Sequence, residues 1–326
     1  MRTRRRDFLV GAAGLGIGGA IRASSLLPKY RFERRPKRSR VAIVSVNDYS
    51  EKIVETLVAA LGLFSLDVRN KSVVLKPNLV DCAPGQAINT HPSLVLAAAE
   101  AFLLLGARSI VVADGPGHER DTQRVLSESG YEGSLAAQGL RFVDLNRDHL
   151  LPVRVKAAYT GIEYLWLPRT VLAAEFLVSM PKLKTHHWSG VTLSMKNLFG
   201  IVPGIRYGWP KNILHWKGIS ESILDICATV PIHFVIVDGI VGMEGNGPLQ
   251  GTPRMLGKVI LSDDPVAADA TCARLMGLEP GRVPHLREGS KFLGNCTTTR
   301  VEQIAETLVP PRTPFELVPE WGHLVA

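Results

Sequence analysis

The chain has 326 residues, 46% of them hydrophobic and 21% charged, with 30 Gly and 21 Pro. That length and composition can bury a full core, and they exclude a disordered protein, a collagen-like repeat and a disulfide-stapled mini-protein. The formal charge of +8 is uneven: residues 1–40 hold 12 Lys and Arg against Asp7 and Glu33, leaving 26 basic and 28 acidic residues in a nearly neutral body, so no nucleic acid is expected as a partner.

In chain order, Arg4-Arg5-Arg6-Asp7-Phe8-Leu9 precedes an uncharged run from Val10 to Ile21. A basic region followed by 12 weakly apolar residues, too few to span a bilayer, reads as an export signal. Arg5-Arg6-Asp7-Phe8-Leu9 resembles the twin-arginine signal, Arg-Arg-x-Phe-Leu. That resemblance implies a signal segment over 1–30 and passage of the folded chain through the twin-arginine export machinery to a periplasmic or other extracytoplasmic space. Residues 31–40, with Pro36, read as a basic linker, and 41–326 as the α/β domain.

Within that domain, Val41–Val46, Val73–Leu75, Ile110–Ala113, Phe142–Asp144, Phe176–Ser179, Phe234–Val237 and Val259–Leu261 read as buried strands. Ile53, Val54, Leu57, Val58 and Leu61 share one face of a predicted helix over 51–64. Pro92 and Pro265 open further helices that stop at Gly106 and Gly277. The alternation predicts a mostly parallel sheet with helices on both faces. Six strands run into polar turns: Lys76-Pro77-Asn78, Asp114 to His118, Asp144-Leu145-Asn146, Met180-Pro181-Lys182, Asp238-Gly239 and Ser262-Asp263-Asp264. In a parallel sheet these carboxyl ends share the edge where ligands bind. Cys82, Cys227, Cys272 and Cys296 are too far apart for a self-contained iron–sulfur or zinc run; Cys227 and Cys272 read as buried apolar residues.

The segment 181–217 carries Lys182, Lys184, Lys196, Arg206, Lys211 and Lys217, no Asp or Glu, His186, His187 and His215, and three of the five Trp. Its glycines predict a long functional loop insertion forming a cationic, aromatic-walled pocket for a small anion. Asp238, Glu244 and Asn246, in a glycine-rich stretch, are oxygen ligands at loop spacing, and a cation or a plain capping turn suits them about equally.

VVLKPNLV (73–80), ADGPG (113–117), MPKLKTH (180–186), TLSMKNLFG (192–200), DGIVGMEGNGP (238–248) and DDPVAADA (263–270) resemble the domain of unknown function 362 family over roughly 40–290. This resemblance implies an α/β fold. Some members carry ferredoxin-type cysteine runs, which this chain lacks. A second, partial resemblance is to the nickel-pincer lactate racemase family, in Gly117-His118-Glu119-Arg120 after a strand, His186 ten residues before Lys196, and Pro203-Gly204. It implies His118 and His186 as acid–base groups, Lys196 as a cofactor-tethering amine and His215 as a metal ligand. Leu193-Ser194-Met195 in place of glycines, and Glu119 before Arg120, depart from that pattern.

Together these readings predict an exported α/β enzyme acting on a small anionic molecule by isomerase-like or hydrolase-like proton chemistry. No Gly-x-Ser-x-Gly elbow is present, which argues against a serine hydrolase. His118, His186, Lys196 and Lys184 are the candidate catalytic residues; Lys76, Asn78, Asp114, Lys182, His187, Asn197 and Trp188 are the candidate substrate contacts. His215, Asp238 and Glu244 are the candidate ligands of a metal ion, iron or nickel, the cofactor itself staying unidentified. The alternative is an accessory or binding protein presenting a metal or ligand to a membrane redox partner; a third reading docks a partner through the Trp residues.

Overall fold

Strands form where β-branched residues run together, and each sends alternate side chains to opposite faces. The computed structural model describes residues 36–50, 52–83, 85–117 and 121–326. The twin-arginine segment, the first half of the linker and His118 lie outside the described residues. In β1 (Ser39–Ser45), Val41 and Ile43 enter one core and Ala42 the other. β2 (Ser72–Pro77), β3 (Ser109–Asp114) and β4 (Arg141–Asp144) follow, and β5 (Leu150–Arg154) pairs apart with β6 (Tyr164–Pro168). Then come β7 (Phe176–Met180), β8 (Lys182–His186), β9 (Gly190–Thr192), β10 (Phe234–Asn246), β11 (Gln250–Ser262) and β12 (Val301–Ala305).

The main sheet runs β12-β1-β11-β10-β7-β2-β3-β4, with β8 continuing beside β10 and β9 beside β8. Most pairs are parallel; β11 runs antiparallel to β1 and β10, and β9 to β8. Helices Lys52–Gly62, Pro92–Leu104, Thr122–Glu128 and Tyr131–Ala137 close one face; Ile219–Thr229, Pro265–Leu275 and Pro284–Gly289 close the other. The predicted starts hold: Pro92 and Pro265 stand in the first turns of their helices, where a missing N–H loses nothing, and Asp264 accepts from the Val266 and Ala267 amides.

Three expectations change. The segment 181–217 contains β8, β9 and several short helices, and most of it is buried. The stretch from Asp238 to Asn246 belongs to β10, which forms a long hairpin with β11 in which Asn246 faces Gln250. Because that hairpin reverses β11, Ser262-Asp263-Asp264 lies at the sheet's amino edge, where Asp264 accepts from Ser39 Oγ at 2.5 Å. Five of the six polar turns therefore share the carboxyl edge. The four cysteines are free, Cys227, Cys272 and Cys296 being buried.

Candidate functional site

At that edge β2 delivers Lys76 and β3 delivers Asp114, a buried ion pair at 2.5 Å. Asp114 is fully engaged: Oδ2 accepts from the Leu79 amide (2.7 Å) and Oδ1 from the Gly115 amide (2.8 Å). Lys76 Nζ also donates to the Pro77 carbonyl (2.8 Å) and to Asn197 Oδ1 (3.1 Å).

Asn197 ends the short helix Ser194–Asn197, which has too few residues to persist unaided. Two anchors hold it. The Asp269 carboxylate accepts from the Ser194 and Met195 amides (2.7 and 3.0 Å) and from Ser194 Oγ (2.6 Å), while Asn197 Nδ2 donates to Ser179 Oγ (3.0 Å) and the Lys76 carbonyl (3.1 Å). Beyond it, the Gly200 carbonyl accepts from the Gly115 amide at 3.1 Å, and a Cβ on Gly200 would overlap both Asp114 Oδ1 and Lys76 Nζ. Only glycine permits this backbone approach.

Lys196 is thereby held with its Nζ 3.8 Å from the centre of the Phe199 ring, with neither a carboxylate nor a hydrogen-bond acceptor among the described residues. Burial, with Lys211 and Lys76 adding repulsion, lowers it to about 7. Lys211, in the left-handed region at φ 70°, donates to the Gly115 carbonyl at 3.0 Å, and burial lowers it to about 8. Lys184 on β8 donates to the Ile88 carbonyl at 2.8 Å; burial first, then the Lys182 and Lys196 charges, push it well below the usual lysine value.

These amines surround a cavity of about 240 Å³ walled by His186, His187, Trp188, Phe199 and His215. The Trp188 and His215 rings meet edge to face at 5.1 Å, and Phe199 and His215 at 5.5 Å. His186 Nδ1 accepts the Trp188 amide at 2.9 Å, which leaves the ring proton on Nε2. Burial, and next the Lys196 charge, hold His186 well below the usual histidine value, so the ring is neutral at neutral pH. Two atoms of lining residues, Asn78 Oδ1 and Thr192 Oγ1, are buried without a hydrogen-bond partner among the described residues. Such atoms are rare inside proteins and costly unless something pairs with them.

Of the residues expected from sequence, Asn78, Asp114, Lys184, His186, His187, Trp188, Lys196, Asn197 and His215 line this one cavity, with Lys76 behind Asp114. Lys182 does not join them. It is ion-paired with Asp238 at 2.6 Å and donates to Tyr49 Oη (3.0 Å) and the Val241 carbonyl (3.1 Å). The expected metal set does not assemble either. Both Asp238 oxygens are taken, Oδ1 by Tyr49 (2.7 Å) and Oδ2 by Lys182 and the His91 amide (2.8 Å), and Glu244 pairs with Arg254 at 2.6 Å on the hairpin. Among the described residues no group of three His, Cys, Asp or Glu could hold a metal ion. Thr192, Lys211, Phe199 and the supporting Asp269 had not been assigned to the site; Thr192 and Asp269 belong to TLSMKNLFG and DDPVAADA, where a buried hydroxyl and a helix-embedded acid were the available signals.

Residues 73–274 match the family model described as Domain of unknown function (DUF362). The thylakoid-associated protein sll1697 of Synechocystis sp. is 28% identical over 273 residues, 81% of this chain and 80% of that protein. Among solved structures, the lactate racemase apoprotein from Thermoanaerobacterium thermosaccharolyticum superposes with a TM-score of 0.41 at 13% identity, over 68% of this chain and 54% of that one. A protein from Thermotoga maritima superposes at 0.37 and 13% identity, over 65% of this chain and 56% of its own. The chain thus spans little more than half of either solved protein.

Proposed function

The chain belongs to the DUF362 family, whose matched region takes in every lysine of the cavity, and we propose that it is an exported enzyme acting on a small carboxylate or related anion. The observation that carries this is the charge imbalance: Lys184, Lys196 and Lys211 approach one cavity in which the only carboxylate among the described residues, Asp114, is already committed to Lys76. An anion entering there supplies what the fold withholds, and its hydroxyl or amide groups meet Asn78 Oδ1 and Thr192 Oγ1.

Lys196 is the proton-exchanging group. An amine near 7 is part protonated and part free at neutral pH, so it takes and returns a proton within one turnover. His186 serves differently from the acid–base role expected of it: with Nδ1 occupied by a backbone amide, its neutral ring offers Nε2–H as a hydrogen-bond donor to developing negative charge. Lys184 and Lys211 hold the anion. Isomerase-like proton transfer beside a carboxylate fits this set. A tethered nucleotide fits less well: about 240 Å³ is small beside the roughly 300–1,000 Å³ of sites for drug-sized ligands, although Lys196 and His215 both line it. Export rests on Arg5-Arg6-Asp7-Phe8-Leu9, and the thylakoid association named for the Synechocystis relative agrees with a place beside a membrane.

The test is a panel of short carboxylates and inorganic phosphate, read by calorimetry and by exchange of substrate hydrogen in deuterated water. Binding is expected for the wild type and at least a ten-fold loss for Lys196→Met, with affinity falling as pH rises through about 7 and 8, where Lys196 and Lys211 lose their protons. Binding without exchange supports the accessory-protein alternative. A wild-type protein indifferent to every acid overturns the anion site.

A further inference from the structure

The cavity mouth is bordered by a surface of unusual make-up. Between Gly204 and Lys217 the exposed residues are Ile205, Arg206, Ile213, Trp216 and Lys217: three large apolar side chains and two cations. Ile205 is 71% exposed and Trp216 79%, among the highest values for large apolar residues in the described structure. Ile213 and Trp216 stand one turn apart on the short helix Asn212–Trp216, hence on one side of it. That helix packs beside Gly204–Tyr207, which carries Ile205 and Arg206. On its other flank His215 meets the ring of Trp188, itself 51% exposed and part of the cavity wall.

Single exposed apolar residues are ordinary, but a cluster with two tryptophans beside a ligand cavity is not. Its charge names the occupant. The whole of 181–217 contains no acidic residue, and the cations that reach solvent here are an Arg and a Lys next to the apolar side chains. Trp at the interface, aliphatic side chains inserted among acyl chains, and Arg and Lys on lipid phosphates are the chemistry of a protein lying on an anionic bilayer. No helix among the described residues is long and apolar enough to cross a membrane, so the contact is peripheral.

We infer that the face formed by Ile205, Arg206, Ile213, Trp216 and Lys217, with Trp188 at its edge, docks on an anionic lipid surface and turns the cavity mouth toward it. The inference does not depend on what the cavity binds.

The experiment uses the full chain with vesicles of phosphatidylcholine, with and without phosphatidylglycerol, whose acyl chains carry bromine to quench nearby Trp. Residues 1–35 are strongly basic but hold no Trp, so quenching reports on this face and not on the amino-terminal segment. Quenching is expected with phosphatidylglycerol, most of it lost in Trp216→Phe. Paired Ile205→Ser and Trp216→Ser should weaken partitioning of the folded protein about ten-fold. Arg206→Gln with Lys217→Gln should weaken it toward the anionic vesicles alone. The inference is overturned by absent quenching, as a protein partner at this face would give, by quenching that survives Trp216→Phe, or by equal binding to neutral vesicles.

Discussion

Two sets of lysines are buried at the carboxyl edge of this sheet, and they are buried differently. Lys76 and Lys182 each meet a carboxylate, at 2.5 and 2.6 Å, and further oxygens complete their shells. Lys184 and Lys211 have one carbonyl each, and Lys196 has an aromatic face. The first set has its desolvation offset within the chain, so it ties β2 to β3 and β8 to β10. The second set meets no carboxylate among the described residues, an arrangement that a fold tolerates where function needs it. The difference separates lysines that hold the edge together from the lysines proposed above to meet an anion.

The largest effect expected from this contrast lies in the paired set. Asp238→Ala strands the Lys182 ammonium, along with Tyr49 Oη and the His91 amide, in the interior, and the loss is expected to be about 3–5 kcal/mol by urea unfolding. Adding Lys182→Met to Asp238→Leu removes both charges and should recover much of it. An Asp238→Ala protein as stable as the wild type would erase the distinction between the two sets.

Sequence made this contrast only half visible. The apolar runs marked β1, β2, β3, β4, β7, β10 and β11, because a strand covered on both faces is nearly all apolar. β8 escaped notice: its five residues, Lys182 to His186, are all buried yet mostly polar, so composition concealed it. The lysine-rich, acid-free segment pointed to the cavity. Which lysine would find a partner was not legible. Lys182 and Lys184 lie two apart on one face of β8, yet on β10 Asp238 stands opposite Lys182 and Met243 opposite Lys184. The strand partner therefore gives Lys182 a carboxylate, while Lys184 is left with the Ile88 carbonyl. Likewise, Asp238, Glu244 and Asn246 read as cation ligands or a capping turn, whereas they lie along β10, whose hairpin with β11 puts Asp264 at the amino edge.

The unpaired set should respond in the opposite direction. Lys196→Met removes a charge that the fold holds at a loss and should raise the unfolding midpoint by roughly 2–4 °C at neutral pH, even as it abolishes anion binding. The sign of the pH effect follows from its position near 7, below the roughly 10.4 of an unfolded lysine. Between those values the unfolded chain binds a proton that the fold refuses. Stability from this group therefore rises as pH climbs from about 7 toward 10 and is flat below 7. Midpoints at pH 6 and 9 should diverge less in Lys196→Met than in the wild type; an unchanged difference would mean that Lys196 is compensated after all.

The smallest effect belongs to Thr192. Its Oγ1 is buried without a hydrogen-bond partner among the described residues, so Thr192→Val deletes no bond there and removes a desolvated hydroxyl from a buried position in the cavity wall. Stability should stay level or rise by up to about 1 kcal/mol, in contrast to the usual loss when a buried polar group is removed. The stabilisation conferred by a bound carboxylate should shrink in the same variant, since the ligand then has no hydroxyl to meet. A loss of stability of about 1–3 kcal/mol, the penalty for stranding a partner, would instead place Thr192 with Lys76 and Lys182, as a group the chain satisfies for itself.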